Sequence, residues 1–162
     1  MTNAALKVED APSAIIRVAS PSDLNALTDL EMHCFSSDKL SRRSFKRWIS
    51  AKHAILLVAE LEGQVLGYGL VWCLKGTRLA RLYSLAVSPM ARGRGIAEML
   101  LGALEQETSQ RGRGYLRLEV SINNQKAIKL YQKFGYKTFG AYSDYYGDGS
   151  EAAAYAKANC PF

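Results

Sequence analysis

The sequence predicts a mixed α/β fold, with an antiparallel β meander followed by βαβ crossovers in one domain. Two patterns carry this. Apolar, β-branched runs follow one another between residues 54 and 89 with only short turns between them. From residue 95 to 135, helix-period and strand-period segments then alternate. The chain of 162 residues shows no internal repeat, low-complexity tract or linker, so it reads as a single core-forming unit. Residues 1–13 read as a flexible leader and residues 14–162 as the domain.

The elements follow in order. "AIIRVAS" (14–20) is a first strand. "SPSDLNALTDLEMHCF" (20–35) is a helix capped by Ser20 or Ser22, with Leu24, Leu27, Leu30 and Cys34 at helical spacing. A second short helix lies in "SRRSFKRWISA" (41–51), where Ser41 caps and Phe45, Trp48 and Ile49 form the apolar stripe. "AILLVAELEGQVLGYGLVWCL" (54–74) is two strands joined by a Glu62-Gly63 turn, a hairpin signal. "TRLARLYSLAVSP" (77–89) is a strand stopped by Pro89. Residues 95–110 are a helix, 115–121 a strand and 124–135 a helix. The tail "YKTFGAYSDYYGDGSEAAAYAKA" is a hairpin turning at Gly147 to Gly149.

Composition narrows the class. Hydrophobic residues make up 48% and charged residues 22%, as in ordinary globular proteins. No apolar run approaches the roughly 20 residues that span a bilayer, and the start has no apolar signal core. Cys34, Cys73 and Cys160 are scattered and odd in number, and only His33 and His53 are present. Neither a disulfide framework nor a metal centre is expected, and a cytoplasmic location is. The net charge of +6, from 21 basic and 15 acidic residues, suits a polyanionic partner or merely a solvated basic surface.

"RGRG" occurs twice, at 92–95 and 111–114. After the first copy, Ile96, Met99, Leu100, Ala103 and Leu104 lie on one helix face. A strand, a Gly/Arg turn and a helix N-terminus together suit phosphate. The first-turn amides are unpaired, Gly93 and Gly95 allow close approach, and Arg92 and Arg94 supply charge. A Walker loop requires GK[ST], which is absent. A dinucleotide fingerprint requires a small residue where Glu98 stands. Arg-x-x-Gly-x-Ala, running Arg92, Gly95, Ala97, is what remains. The plainer reading is a glycine turn with solvated arginines. The second copy follows a helix, and Gly112 or Gly114 reads as its left-handed stop. Nucleic-acid binding by both copies is disfavoured, because Gly/Arg segments that bind RNA are repetitive and disordered.

The first copy resembles the coenzyme-A loop of the GNAT superfamily of N-acetyltransferases. The segment "NNQKAIKLYQKFGY" matches that superfamily's later motif, Asn124-x-x-Ala127-Ile128-x-Leu130-Tyr131-x-x-x-Gly135-Tyr136. The resemblance spans residues 82–136 and implies a GNAT-like mixed, mostly antiparallel central sheet flanked by helices. It implies acetyl-CoA as donor, with Leu85, Ala86 and Val87 pairing its pantetheine arm. Residues 92–97 (Arg92, Gly93, Arg94, Gly95, Ile96 and Ala97) would cradle its pyrophosphate, and Asn124 belongs to the same cofactor-binding set.

"YLRLEVS" alternates, with Leu116, Leu118 and Val120 on one face and Glu119 among polar neighbours on the other. The plain reading pairs Glu119 with Arg117, and makes Tyr131 a core tyrosine. Chemistry offers more. An attacking amine must lose its proton, and a departing thiolate must gain one. The strand at 77–87 has no carboxylate, so Glu119 is the candidate base and Tyr131 the candidate acid; a backbone N–H near Val87 would polarise the thioester.

Within the superfamily, "LEVSINNQKAIKLYQKFGY" followed by "YYGDGSEAAAYAK" resembles the bacterial ribosomal-protein-alanine N-acetyltransferases, the RimI type. That implies a protein or peptide N-terminal amine as acceptor, with Tyr142, Tyr145 and Tyr146 walling its site. The alternatives are a small-molecule amine, a lysine side chain, or a coenzyme-A-binding module without turnover. The chain departs from the type after the first helix. It reads "CFSSDKLSRRSFKRWI" in place of a Phe-Pro-aromatic stretch, with Arg42, Arg43, Lys46 and Arg47 nearby.

Overall fold

The computed structural model describes residues 13–158. The expected leader lies outside these residues apart from Ser13, as does Cys160. The elements are β1 (Ile15–Val18), α1 (Leu24–Cys34), α2 (Arg42–Ser50), β2 (Ala54–Leu61), β3 (Gln64–Cys73), β4 (Leu79–Val87), α3 (Ile96–Gln110), β5 (Tyr115–Ser121), α4 (Gln125–Lys133), β6 (Lys137–Tyr142) and β7 (Ala152–Ala158). Their order is the one the patterning predicts.

Local chemistry explains the boundaries. Ser20 caps a 3-10 turn that leads into α1, its N–H donating to Asp23 Oδ2 at 2.8 Å, and Asp23 rather than Ser20 or Ser22 is the N-cap of α1 itself. Ser41 caps α2 by accepting from Ser44 N–H at 3.1 Å. Glu62 and Gly63, at φ 52° and 79°, make the tight β2–β3 turn with both central residues left-handed. Gly112, at φ 75°, ends α3. Its flanking arginines serve structure. Arg111 donates to the Lys52 carbonyl at 3.1 Å, and Arg113 donates to the Leu74 carbonyl at 2.7 Å.

The seven strands run in the order β1-β2-β3-β4-β5-β7-β6. Neighbours are antiparallel except β4 and β5, which α3 joins by a crossover. The terminal hairpin is present, but β7 inserts between β5 and β6. One sheet face packs on α3 and α4 through Leu57, Val71, Leu82, Leu100, Leu104 and Leu118. The other buries Leu56, Tyr68 and Leu70 under Leu27 of α1 and Phe45 of α2. A Cβ on Gly69 would stand 2.5 Å from Leu104, so glycine is what lets α3 approach β3 this closely.

Candidate active site

The site begins where the sheet opens. β4 and β5 pair only from Leu79↔Tyr115 to Leu82↔Leu118, although β4 runs on to Val87 and β5 to Ser121. The β3–β4 register shifts at the same point. Leu70 pairs with Ser84 and Val71 with Leu82, which leaves Tyr83 as an extra residue on β4. Such a bulge bends a strand. Beyond it, the β5-facing edge of residues 83–87 has no strand partner. Leu85, Ala86 and Val87 therefore line a cleft along this unpaired edge, where the Val87 carbonyl accepts from the Cys34 thiol at 3.4 Å.

One end of the cleft is a 570 Å³ cavity lined by Leu85, Ala86, Val87, Arg92, Gly93, Gly95, Ile96, Ala97, Asn124 and Lys126, among others. Gly93 and Gly95 adopt φ 84° and 74°, and a Cβ on either would meet nothing within 4 Å. Left-handed backbone, rather than crowding, is what calls for glycine here. The first bond of α3 runs from Met99 N–H to the Gly95 carbonyl at 3.0 Å. The amides of Ile96, Ala97 and Glu98 are therefore left for a ligand, at the positive end of the helix. Ile96 contributes only its backbone, since its side chain is in the core. Arg94 is exposed and does not line the cavity.

The other end is a 310 Å³ cavity that contains Glu119 and Tyr131 together. Glu119, its side chain 9% exposed, is held through Oε2 by Arg81 Nε at 3.3 Å. Arg117, the partner expected from spacing within the strand, does not make this contact. Arg81 reaches across from β4 instead, and also donates to the Tyr145 hydroxyl at 2.7 Å. Tyr131, in α4, is 7% exposed, and its ring meets Tyr136 edge-on at 5.7 Å. Burial pushes its phenol well above the ordinary value of 10, with the neighbouring Tyr146 adding to the effect. Asn124 caps α4 by accepting from Ala127 N–H at 3.2 Å, and lines both cavities. Cys34, Phe35, Leu85, Ala127 and Tyr131 are also shared, so the two cavities form one passage.

Two loops border the second cavity. Residues 36–38, between α1 and α2, meet the β6–β7 loop where Gly147 N–H donates to Asp38 Oδ2 at 2.8 Å. Tyr146 lines the cavity with its phenol pushed up to about 12, chiefly by burial. Tyr145 instead supports Arg81, and Tyr142 stacks on Tyr145 at 5.7 Å outside the lining.

Charge is divided along the passage. The lining at the Glu119 end carries the carboxyl groups of Asp38, Glu119 and Asp148 over the buried Glu31. It has no lysine or arginine of its own, with Arg81 bound behind Glu119, whereas the loop end carries Arg92 and Lys126 against Glu98. On a chain of net charge +6 this local inversion sets the two ends of the passage apart. Arg42, Arg43, Lys46 and Arg47 are exposed on α2 and line neither cavity. Among the described residues, no group of three or more His, Cys, Asp or Glu could hold a metal, and no helix is long and apolar enough to cross a membrane.

Sequence reasoning missed Arg81 and Glu31. Arg81 carries no local signal, because its role depends on the β4–β5 register. Glu31 did carry one, as an acidic residue four positions after Leu27 on the apolar stripe of α1.

The family model described as acetyltransferase (GNAT) family matches residues 24–136. A Bacillus subtilis (strain 168) protein, provisionally named a ribosomal protein bS18-alanine N-acetyltransferase, is 27% identical over 140 residues, covering 86% of this chain and 91% of that one. The crystal structure of the Escherichia coli ribosomal-protein-S18-alanine N-acetyltransferase superposes with a TM-score of 0.81 at 24% identity, over 90% of this chain and 94% of that one. A Salmonella typhimurium acetyltransferase structure containing acetyl-CoA gives 0.78 at 20% identity, over 90% and 93%.

Proposed function

The chain belongs to the acetyltransferase (GNAT) family and is an acetyl-CoA-dependent N-acetyltransferase; from that premise we propose that its acceptor is the N-terminal α-amine of a protein or peptide. The observation that carries the amine-acceptor part of this reading is the division of charge along the passage. A phosphate-rich donor suits the amides, Arg92 and Lys126 at one end, and a cationic amine suits the four carboxyl groups at the other. The relatives named for alanine N-terminal acetylation support the choice of amine. A cytoplasmic site of action belongs to the same proposal.

Acetyl-CoA supplies an acetyl group activated as a thioester. In this reading Leu85, Ala86 and Val87 hold its extended arm by backbone bonds, an N–H near Val87 faces the acyl oxygen, and the loop Arg92–Ala97 binds phosphate. Arg94, outside the cavity lining, serves as a peripheral charge. Asn124 fixes the start of α4, which places Tyr131.

Glu119 takes the proton that the acceptor ammonium must lose, directly or through water. Oε1 is the oxygen left for this task, since Arg81 holds Oε2. Tyr131 holds the proton needed by the departing sulfur. Its raised pKa keeps that proton in place at neutral pH.

The test is acetyl-CoA-dependent mass gain on peptides with free Ala, Ser or Met ends, blocked peptides containing lysine, and polyamines. One acetyl on free-ended peptides alone is expected. Gain only on blocked peptides or polyamines overturns the N-terminal reading and moves the enzyme to the alternative acceptors. Cofactor binding with no transfer to any acceptor favours the binding module.

A further inference from the structure

A buried polar chain runs under the amine end of the cleft. Glu31, 2% exposed on α1, accepts Leu40 N–H through Oε2 at 2.7 Å and the Tyr68 hydroxyl through Oε1 at 2.5 Å. The Tyr68 oxygen lies 2.6 Å from Ser84 Oγ. Tyr68 is wholly buried on β3, whereas Ser84 follows the Tyr83 bulge on β4 and lines the same cavity as Glu119 and Tyr131.

The hydrogen-bond directions close. With Glu31 ionised, Tyr68 gives its one proton to that carboxylate. Its oxygen must then accept, so the Ser84 proton points inward at Tyr68. A Ser84 lone pair is left for the cavity. A carboxylate taken out of water at this depth is costly unless its bonds are made, so the chain is more than incidental packing. Burial pushes the Glu31 acid up, the Leu40 amide and Tyr68 hydroxyl pull it down, and Lys39 is the nearby cation.

We propose that Ser84 Oγ accepts one N–H of the acceptor amine, and that Glu31, acting through Tyr68, is the positioning residue that fixes this acceptor polarity. The proposal rests on the amine-acceptor reading above. An amine that has given one proton to Glu119 retains two N–H groups when its lone pair attacks. Holding one of them at Ser84 restricts its rotation and aims the lone pair. No bond to Ser84 forms and no proton passes through it; the second proton that the nitrogen loses as the amide forms balances the one that Tyr131 gives to the departing sulfur.

The test is steady-state kinetics with acetyl-CoA and a free-ended alanine peptide. Ser84→Ala and Tyr68→Phe each remove one link. Tyr68→Phe keeps the ring, its edge-on contact with Phe45 at 5.3 Å, and the Glu31 bond to Leu40. Each single change is expected to lower kcat/KM for the peptide by about 3- to 10-fold, and the double change no further than the larger single one. Ser84→Thr keeps the hydroxyl and is expected to retain most of the rate. Glu31→Gln turns a donor toward Tyr68, reverses the chain, and is expected to cost more than Tyr68→Phe. KM for acetyl-CoA should not move in any variant.

Additive losses in the double variant, a wild-type rate in Ser84→Ala, or a matching rise in the acetyl-CoA KM overturns the relay. Melting temperatures separate a folding defect, which Ser84→Thr would not repair. If the wild-type chain acetylates no amine at all, the acceptor reading falls and the relay with it. A wild-type chain that is active beside an equally active Ser84→Ala sinks the relay alone.

Discussion

Arg81 Nε lies 3.3 Å from Glu119 Oε2, a contact that runs diagonally from β4 to β5. Arg81 is in register with Arg117, so its guanidinium reaches one alternation forward to the place where the strands part. It also binds Tyr145 of the β6–β7 loop. One side chain thus links the carboxylate to the loop that borders the amine cavity, and the carboxylate's direction is set by a strand that has no acid of its own.

Removing the carboxylate tests its role as base. Glu119→Gln keeps the shape and is expected to lower kcat by about 10²- to 10⁴-fold, the range for a lost proton acceptor. Acetyl-CoA affinity, measured by calorimetry, should change little. Arg81→Leu leaves Glu119 in place but unheld, and is expected to cost less in kcat than Glu119→Gln. Equal rates in wild type and Glu119→Gln would remove Glu119 from the mechanism.

Tyr131 makes a prediction about pH. Its phenol lies above the ordinary value of 10 because burial disfavours the phenolate. An acid with a raised pKa stays protonated, so kcat should show no alkaline decline from this group up to about pH 10. Tyr131→Phe is expected to lower kcat by about 10²-fold across that range. A decline in wild type centred near pH 8 that vanishes in Tyr131→Phe would contradict the raised value.

The two Arg-Gly copies offer a contrast within one chain. Both Gly95 and Gly112 are left-handed, at φ 74° and 75°, so alanine at either should cost about 1 kcal/mol of stability. Only Gly95→Ala, together with Arg92→Ala, should weaken acetyl-CoA binding, by several-fold. Arg113→Ala should destabilise without weakening it, because its partners are loop carbonyls. Equal effects of both glycine changes on cofactor affinity would refute the division of labour.

That division was legible in the sequence because it is local. A glycine turn before a helix and one after a helix differ in what surrounds them, and periodicity shows which is which. Strand alternation and helix spacing place Glu119 on the polar face of β5 and Tyr131 on the apolar face of α4. Spacing alone reads them as a surface acid and a core tyrosine; their proposed roles come from the resemblance and from the chemistry of the reaction. The rest depends on register. Arg81 finds Glu119 only through the parallel β4–β5 pairing. Gly147 meets Asp38 across 109 residues of chain. No window of sequence contains either pair. Glu31 stands between these cases: its place on the stripe of Leu27, Leu30 and Cys34 marks it as anomalous, while Tyr68, its partner, lies on a different element.

The start of the domain carries an ion pair that ties its stability to pH. Arg17 grips Asp23 through both guanidinium nitrogens at 2.8 Å, while Ser20 N–H binds the same carboxylate. These bonds, led by the one from Arg17, hold Asp23 below its ordinary 3.8. A carboxyl with a depressed folded pKa contributes stability above its unfolded value, and that contribution is lost as pH falls through the folded one. Asp23→Asn is therefore expected to lower stability by about 2 kcal/mol at pH 7. It should cost progressively less below about pH 4, where the carboxyl of the unfolded chain begins to protonate while the folded one is held lower. Glu60 remains as a partner for Arg17 at 2.8 Å, which limits the damage from the unpaired cation. Urea unfolding of both chains at pH 7 and pH 3 measures the difference. A gap between the two chains that stays constant from pH 7 to pH 3 would show that the ionised pair contributes nothing, and that Asp23 acts only as a cap.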